Sequence, residues 1–180
     1  MSARPLRLLA LLLALPLLLL GCDTAEDDPM FQDNTILEDA LVVINYLFDE
    51  SDFDANGTAT VQGNQSVLIN GLLPSSFSRT DIVSISGLPG SGELLIRQPP
   101  LANIDEVASA ELRFENLLVA TAQVTMTDDD EELRIADTDL TSLGSQSGFN
   151  STLTITLADP SAAQDYELEA RVTLRFELEP

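Results

Sequence analysis

The sequence predicts an all-β protein, an antiparallel β-sandwich of about eight or nine strands, carried as one domain over residues 36–180. Three observations predict it. The segment YELEARVTLRFELEP alternates throughout: Tyr166, Leu168, Ala170, Val172, Leu174, Phe176 and Leu178 are apolar, and the seven residues between and after them are polar. A period of two describes a strand with one buried and one wet face. The same alternation recurs upstream in several shorter segments. Turn-forming Gly, Pro, Asn and Asp fall between them. One-sided strands at this spacing suit a sandwich, with a closed barrel as the alternative. A membrane-spanning barrel is not expected, because its outward face must be apolar and here the second face carries Glu, Arg and Thr.

The elements follow in order. Ile36 to Phe48 is ambiguous. Ile36, Leu37, Ala40, Leu41, Ile44, Leu47 and Phe48 fit a helical face, whereas Val42-Val43-Ile44 and the aromatics favour a buried strand. The strand is preferred because everything after it reads as β. Thr58 to Ile69, Asp81 to Gly87, Glu93 to Gln98 and Glu131 to Ala136 are the shorter strands. AELRFE points Leu112 and Phe114 inward, ATAQVTMT points Ala120, Ala122, Val124 and Met126 inward, and STLTITLAD points Leu153, Ile155 and Leu157 inward. Asn56-Gly57 suits a type I′ hairpin turn. Pro89-Gly90-Ser91-Gly92 and Asp159-Pro160-Ser161 are breakers. Asp128-Asp129-Asp130-Glu131 reads as a solvated hairpin tip. Ser78-Arg79-Thr80-Asp81 has capping-box spacing with Asp for Glu, so a short helix is placed at 78–82, with 36–48 as the other helical alternative.

Residues 1–21 read as a targeting signal. Arg4 and Arg7 form a positive n-region, and Leu8 to Leu20 are an unbroken apolar block of thirteen residues. That is a secretory h-region, short of the roughly 20 residues a spanning helix needs. The block ends in Leu19-Leu20-Gly21-Cys22. This motif resembles the lipobox of bacterial lipoproteins, over residues 1–22 only. The resemblance implies cleavage before Cys22, a diacylglycerol on its thiol and an acylated new amino group. Leu19 and Gly21 would be the recognition residues. Each buried CH₂ contributes about 0.8 kcal/mol, and two or more chains anchor stably, so a lipidated Cys22 holds the domain on a membrane. Residues 22–35, acidic and containing Pro29, read as a tether. Its thirteen residues after the cysteine reach about 45 Å when extended. Ala25-Glu26-Asp27-Asp28 resembles the acidic export signal of surface lipoproteins in Bacteroidota, whereas Asp23 directly after the cysteine resembles the enterobacterial signal for inner-membrane retention. The expected address is the envelope, with the outer membrane or cell surface favoured over the inner membrane.

Composition narrows the chemistry. The 180 residues hold 30 acidic and 8 basic side chains, for a net charge of −22. Every basic residue is arginine. Removing residues 1–21 takes Arg4 and Arg7 away and brings the net charge to −24. Such a chain is repelled by nucleic acid and anionic lipid, so no nucleic-acid partner is expected. A dense carboxylate surface without lysine suits a high-salt habitat, and equally a GC-rich genome encoding an acidic family. With no histidine, Ser-His-Asp and Cys-His catalysis are out of reach. Without lysine there is no Schiff base. Without a free cysteine there is no thiolate nucleophile, structural zinc or disulfide. Carboxylate chemistry of the glycosidase kind survives.

One metal motif stands out. Asp52-x-Asp54-x-Asn56-Gly57 matches the opening of a calcium loop, and Thr58 could add its carbonyl. The twelfth position, where an EF-hand places a bidentate glutamate, is Gly63. Asp49 and Glu50 lie close by in sequence. Asn56, Asn64 and Asn150 head incidental glycosylation sequons. The expected function is a lipid-anchored binding or structural module, meeting a protein or glycan partner through loops or a sheet face. The alternatives are a carboxylate-dependent glycan hydrolase, which would need two carboxylates about 5–9.5 Å apart in a deep cleft, and a calcium-stabilised adhesion-type module. The absence of tryptophan and the two tyrosines leave few sugar-stacking platforms.

Overall fold

The computed structural model describes residues 35–98, 106–123 and 131–180. The strands are β1 (Ile36–Phe48), β2 (Thr58–Gln62), β3 (Val67–Leu68), β4 (Ile82–Gly87), β5 (Gly92–Gln98), β6 (Val107–Phe114), β7 (Leu117–Gln123), β8 (Glu131–Ile135), β9 (Gly148–Phe149), β10 (Ser151–Leu157) and β11 (Tyr166–Leu178). Nine of them form one antiparallel sheet in the order β1-β11-β5-β8-β7-β6-β10-β2, with β4 also on β11. β3 and β9 form a separate two-stranded pair. This is the all-β sandwich the alternation predicts.

β11 is the axis of the first layer. All thirteen of its residues pair with β1, from Ile36–Leu178 to Phe48–Tyr166, without a register shift. On its other side β11 pairs with β5 over its first half and β4 over its second. Its even-numbered side chains are all buried and its odd-numbered ones are all half-exposed. In the second layer β10 lies between β6 and β2, with Leu153, Ile155 and Leu157 inward. Outward, Thr58 meets Thr156 at 3.1 Å and Thr60 meets Thr154 at 2.8 Å.

The two layers are joined by β8. Its first residues pair with β5 and its last two, Arg134 and Ile135, pair with β7. The handover is tight at Gly92, which faces Leu133; a methyl group there would lie 2.3 Å from the Leu133 carbonyl oxygen. The sheet therefore curls over itself and encloses a core that includes Ile44, Tyr46, Phe48, Leu112, Phe114 and Phe176. The Phe114 and Phe149 rings sit 4.6 Å apart. The ends of the sheet approach one another through one backbone bond, Asn64 N–H to the Asn45 carbonyl at 3.1 Å. No ladder joins β1 to β2 among the described residues, so the barrel alternative does not close.

Several local expectations change. Residues 36–48 are strand, not helix: full pairing with β11 outweighs a helical spacing that its β-branched and aromatic residues serve poorly. The short helix at 78–82 is a single 3₁₀ turn, Arg79–Asp81, whose Asp81 carboxylate accepts the Ser78 N–H at 2.7 Å as the capping box requires. The strand expected at 58–69 breaks, because Gly63 N–H turns to the Ser151 carbonyl and Ile69 begins a 3₁₀ turn. Asn56-Gly57 is not a type I′ turn. Gly57 alone takes a positive φ, +73°, and its N–H closes on the Asp54 carbonyl at 2.9 Å while Asp54 N–H bonds the Thr58 carbonyl. That is a three-residue loop with a glycine bulge. Asp159 caps the turn Pro160–Ala162 through the Ser161 N–H. Val124, Met126 and the tip at 128–130 lie outside the described residues.

Candidate interaction face

β1 exposes more large apolar side chains than any other described strand. Val42, Ile44, Tyr46 and Phe48 point into the core. Leu37, Leu41, Val43 and Leu47 point out, with relative exposures of 60%, 59%, 37% and 62%. Full pairing with β11 fixes the strand's rotation, so the outer row is a consequence of register. Single exposed leucines are ordinary on a protein surface, but four exposed apolar side chains on one strand face, interrupted by Asp39 and Asn45, are a concentration of the kind that marks interaction sites.

The neighbouring outward row on β11 is charged and internally paired. Arg175 holds Asp39 of β1 in a two-pronged contact, with both N–O distances 2.8 Å. Glu169 accepts from Arg97 at 2.7 Å and from Arg171 at 2.6 Å, and Arg171 also reaches Glu93 at 3.3 Å. These arginines hold the Asp39 and Glu169 carboxyls below the usual carboxylate range, by hydrogen bonding first. The apolar row is thus bordered by these ion pairs and, at its two ends, by Glu167 beside Leu47 and Glu177 beside Leu37.

The calcium-loop residues are brought together as a turn. Asp54 Oδ1 accepts the Asn56 and Thr58 N–H groups at 2.8 and 2.9 Å, and these bonds lower its pKa. Asp52 Oδ2 accepts the Asp49 N–H at 2.8 Å, and the Thr58 carbonyl accepts from Asp54. One oxygen of each carboxylate thus serves the chain's own amides. No group of three His, Cys, Asp or Glu side chains among the described residues is placed to hold a metal ion.

Beside that turn, Asp49, Glu50, Ser51 and Asp165 line a shallow, solvent-open depression of about 430 Å³. Asp165 Oδ1 accepts the Glu50 N–H there at 2.9 Å. A general acid needs a raised carboxyl pKa. Among the described residues, the carboxyls that shift, Asp39, Asp54, Asp81, Asp139, Asp159 and Glu169, all move down. Both tyrosines are buried. Tyr166 donates to Glu106 at 2.6 Å and stands 3.1 Å from the Ala162 carbonyl. Burial first, then the Glu106 bond, pushes its phenol up to about 12. Burial raises Tyr46 as well.

Leu19, Gly21, Cys22 and the tether lie outside the described residues. No helix among the described residues is long and apolar enough to cross a membrane. The outer row of β1 was not singled out from sequence. Its signal is present in ILEDALVVINYLF, where apolar residues occupy both alternations, and the same feature produces the helix–strand ambiguity. No protein-family model, no curated protein and no solved structure matches the chain.

Proposed function

We propose that this chain is a lipid-anchored module of the bacterial cell envelope that works by binding, with the outer face of β1 as its contact surface. The observation that carries the binding reading is the row Leu37, Leu41, Val43 and Leu47, exposed on one strand where each other described strand exposes at most one large apolar side chain. The anchor reading is supported by the n-region, the thirteen-residue apolar block and Leu19-Leu20-Gly21-Cys22. The tether between Cys22 and Ile36 gives the module a reach of about 45 Å from the bilayer, on the outer membrane or cell surface in preference to the inner membrane.

The test is metabolic labelling with radioactive palmitate, followed by fractionation. The full chain is expected to take up label and to sediment with membranes, and Cys22→Ala to lose both. An unlabelled chain in the soluble fraction would refute the anchor. Protease shaving of intact cells then separates the faces: loss of the domain places it outside, and survival until the outer membrane is opened places it in the periplasm.

A further inference from the structure

Two asparagine–glycine dipeptides occur in the chain, Asn56-Gly57 and Asn70-Gly71. Such a dipeptide is chemically reactive by itself. The glycine nitrogen can close a five-membered ring on the asparagine side-chain carbonyl carbon, and glycine has no side chain to crowd the approach or restrict the backbone. The reaction makes two demands. Solvent base must reach the glycine N–H, and the backbone must turn until the nitrogen meets the side chain.

The fold treats the two dipeptides oppositely. Gly57 is buried. Its N–H donates to the Asp54 carbonyl and its carbonyl accepts the Leu157 N–H, both at 2.9 Å. Asp54 Oδ1 holds the Asn56 N–H at 2.8 Å. A methyl carbon on Gly57 would lie 3.0 Å from Pro160 Cα, so this loop is packed in place. Asn70 and Gly71 are both exposed, and nothing lies within 4 Å of a methyl carbon built on Gly71. They belong to a single 3₁₀ turn, Ile69–Gly71, closed by the Leu72 N–H on the Ile69 carbonyl at 2.9 Å. Turns of this kind have poor hydrogen-bond geometry and occur in short pieces. The groups that anchor the segment lie on either side of the dipeptide: Ile69 and Leu73 are buried, and the Ile69 N–H is tied to the Ser147 carbonyl at 3.2 Å. Asn70-Gly71 can therefore open without exposing the core, at the low end of the free energies that local opening spans.

We propose that Asn70 is a site of spontaneous covalent modification, with water as the only co-reactant. Solvent base takes the proton from the Gly71 nitrogen, which bonds to Asn70 Cγ. The side-chain nitrogen leaves as ammonia, carrying away a proton in exchange. Water then opens the cyclic imide. Opening at one carbonyl leaves aspartate at position 70, and opening at the other leaves isoaspartate, whose main chain runs through the side-chain carbon. Either product adds a negative charge to a chain already at −22. Isoaspartate also lengthens the link between buried Ile69 and buried Leu73 by one backbone atom. Asn56 carries the same dipeptide and is protected by its loop.

The test incubates the purified full chain, folded, in mildly alkaline heavy-oxygen water beside a portion in concentrated urea, and maps the peptides of both by mass spectrometry. In the folded chain Asn70 is expected to take up heavy oxygen as mixed aspartate and isoaspartate, while Asn56 stays an amide. In urea both are expected to convert at similar rates; unequal rates there would trace the selectivity to sequence and overturn the part given to the fold. Conversion of Asn56 as fast as Asn70 in the folded chain overturns the proposal, and so does an Asn70 that converts only in urea. Aspartate without isoaspartate means direct hydrolysis of the amide and overturns the attack by Gly71. Gly71→Ala has room for its methyl and is expected to melt no lower than the parent while losing most of the conversion. Conversion at the parent's rate overturns the role of the glycine.

Discussion

Replacing Gly92 by alanine tests the way the two layers are joined. The new methyl carbon would lie 2.3 Å from the Leu133 carbonyl oxygen and 2.7 Å from Leu133 Cβ. Backbone cannot step aside as a flexible side chain can, so β8 must shift by about 1 Å from β5 to restore ordinary contact distances. β8 is held to β5 by three residue pairs and to β7 by two, so the shift loosens the junction on which both layers depend. Overpacking of this kind costs about 3 kcal/mol. For a domain of this size that lowers the melting temperature by about 6–12 °C. The assay is thermal melting followed by far-ultraviolet circular dichroism. Gly71→Ala is the control, because nothing lies within 4 Å of its added methyl and a compatible Gly→Ala exchange stabilises by about 0.4–1 kcal/mol. A cooperative melt of Gly92→Ala within about 2 °C of the parent would refute the junction as described.

Four further outcomes are expected. Tyr166→Phe removes a hydrogen bond to Glu106 and costs about 1.5–3 kcal/mol in a denaturant melt. Because the folded-state pKa of Tyr166 is raised to about 12, its stabilisation is complete below pH 10 and disappears as pH rises from 10 to 12, which an alkaline melt series reads directly. In the Asp54 loop, Asp54→Asn keeps the accepting oxygen and should melt close to the parent, whereas Asp54→Ala should melt lower; a calcium-dependent rise in melting temperature that Asp54→Asn abolishes would assign the loop to a cation instead. The lowered carboxyls, Glu169 with its two arginines foremost, stabilise the fold above the ordinary carboxylate range. That contribution is lost as pH falls below about 4.5 through their folded values, so the melting temperature should drop there and Glu169→Gln should flatten the drop. If the acidity is a salt adaptation, melting temperature rises with molar salt, and a flat dependence would count against it.

Much of the sandwich was legible because one-sided strands write their burial into alternate residues. β11 and β10 are the clear cases, since each has one face in the core and the other in water. β1 was harder for a physical reason: both its faces are apolar, and period two disappears when outside resembles inside. The break after Gln62 was also hidden, because it depends on Gly63 reaching the Ser151 carbonyl 88 residues away. At Asn56-Gly57 the dipeptide announced a turn, but the type was set by Asp54, whose carboxylate binds the Asn56 and Thr58 amides. The same carboxylates that suggested a cation loop serve as turn caps, two roles that one spacing pattern cannot separate. The ion pairs beside β1 could not be read either, because Asp39 and Arg175 meet only through a register set by thirteen residue pairs.

The position of β11 also has a kinetic consequence. Among the described strands β1 pairs only with β11, and their paired residues are separated by 118 to 142 residues along the chain. During synthesis β1 therefore emerges long before the strand that will shelter its apolar inner face. Its burial must await β11, and the entropy of closing so large a loop is spent before any of that contact is gained. The first layer therefore cannot be completed until β11, the last strand, has been made.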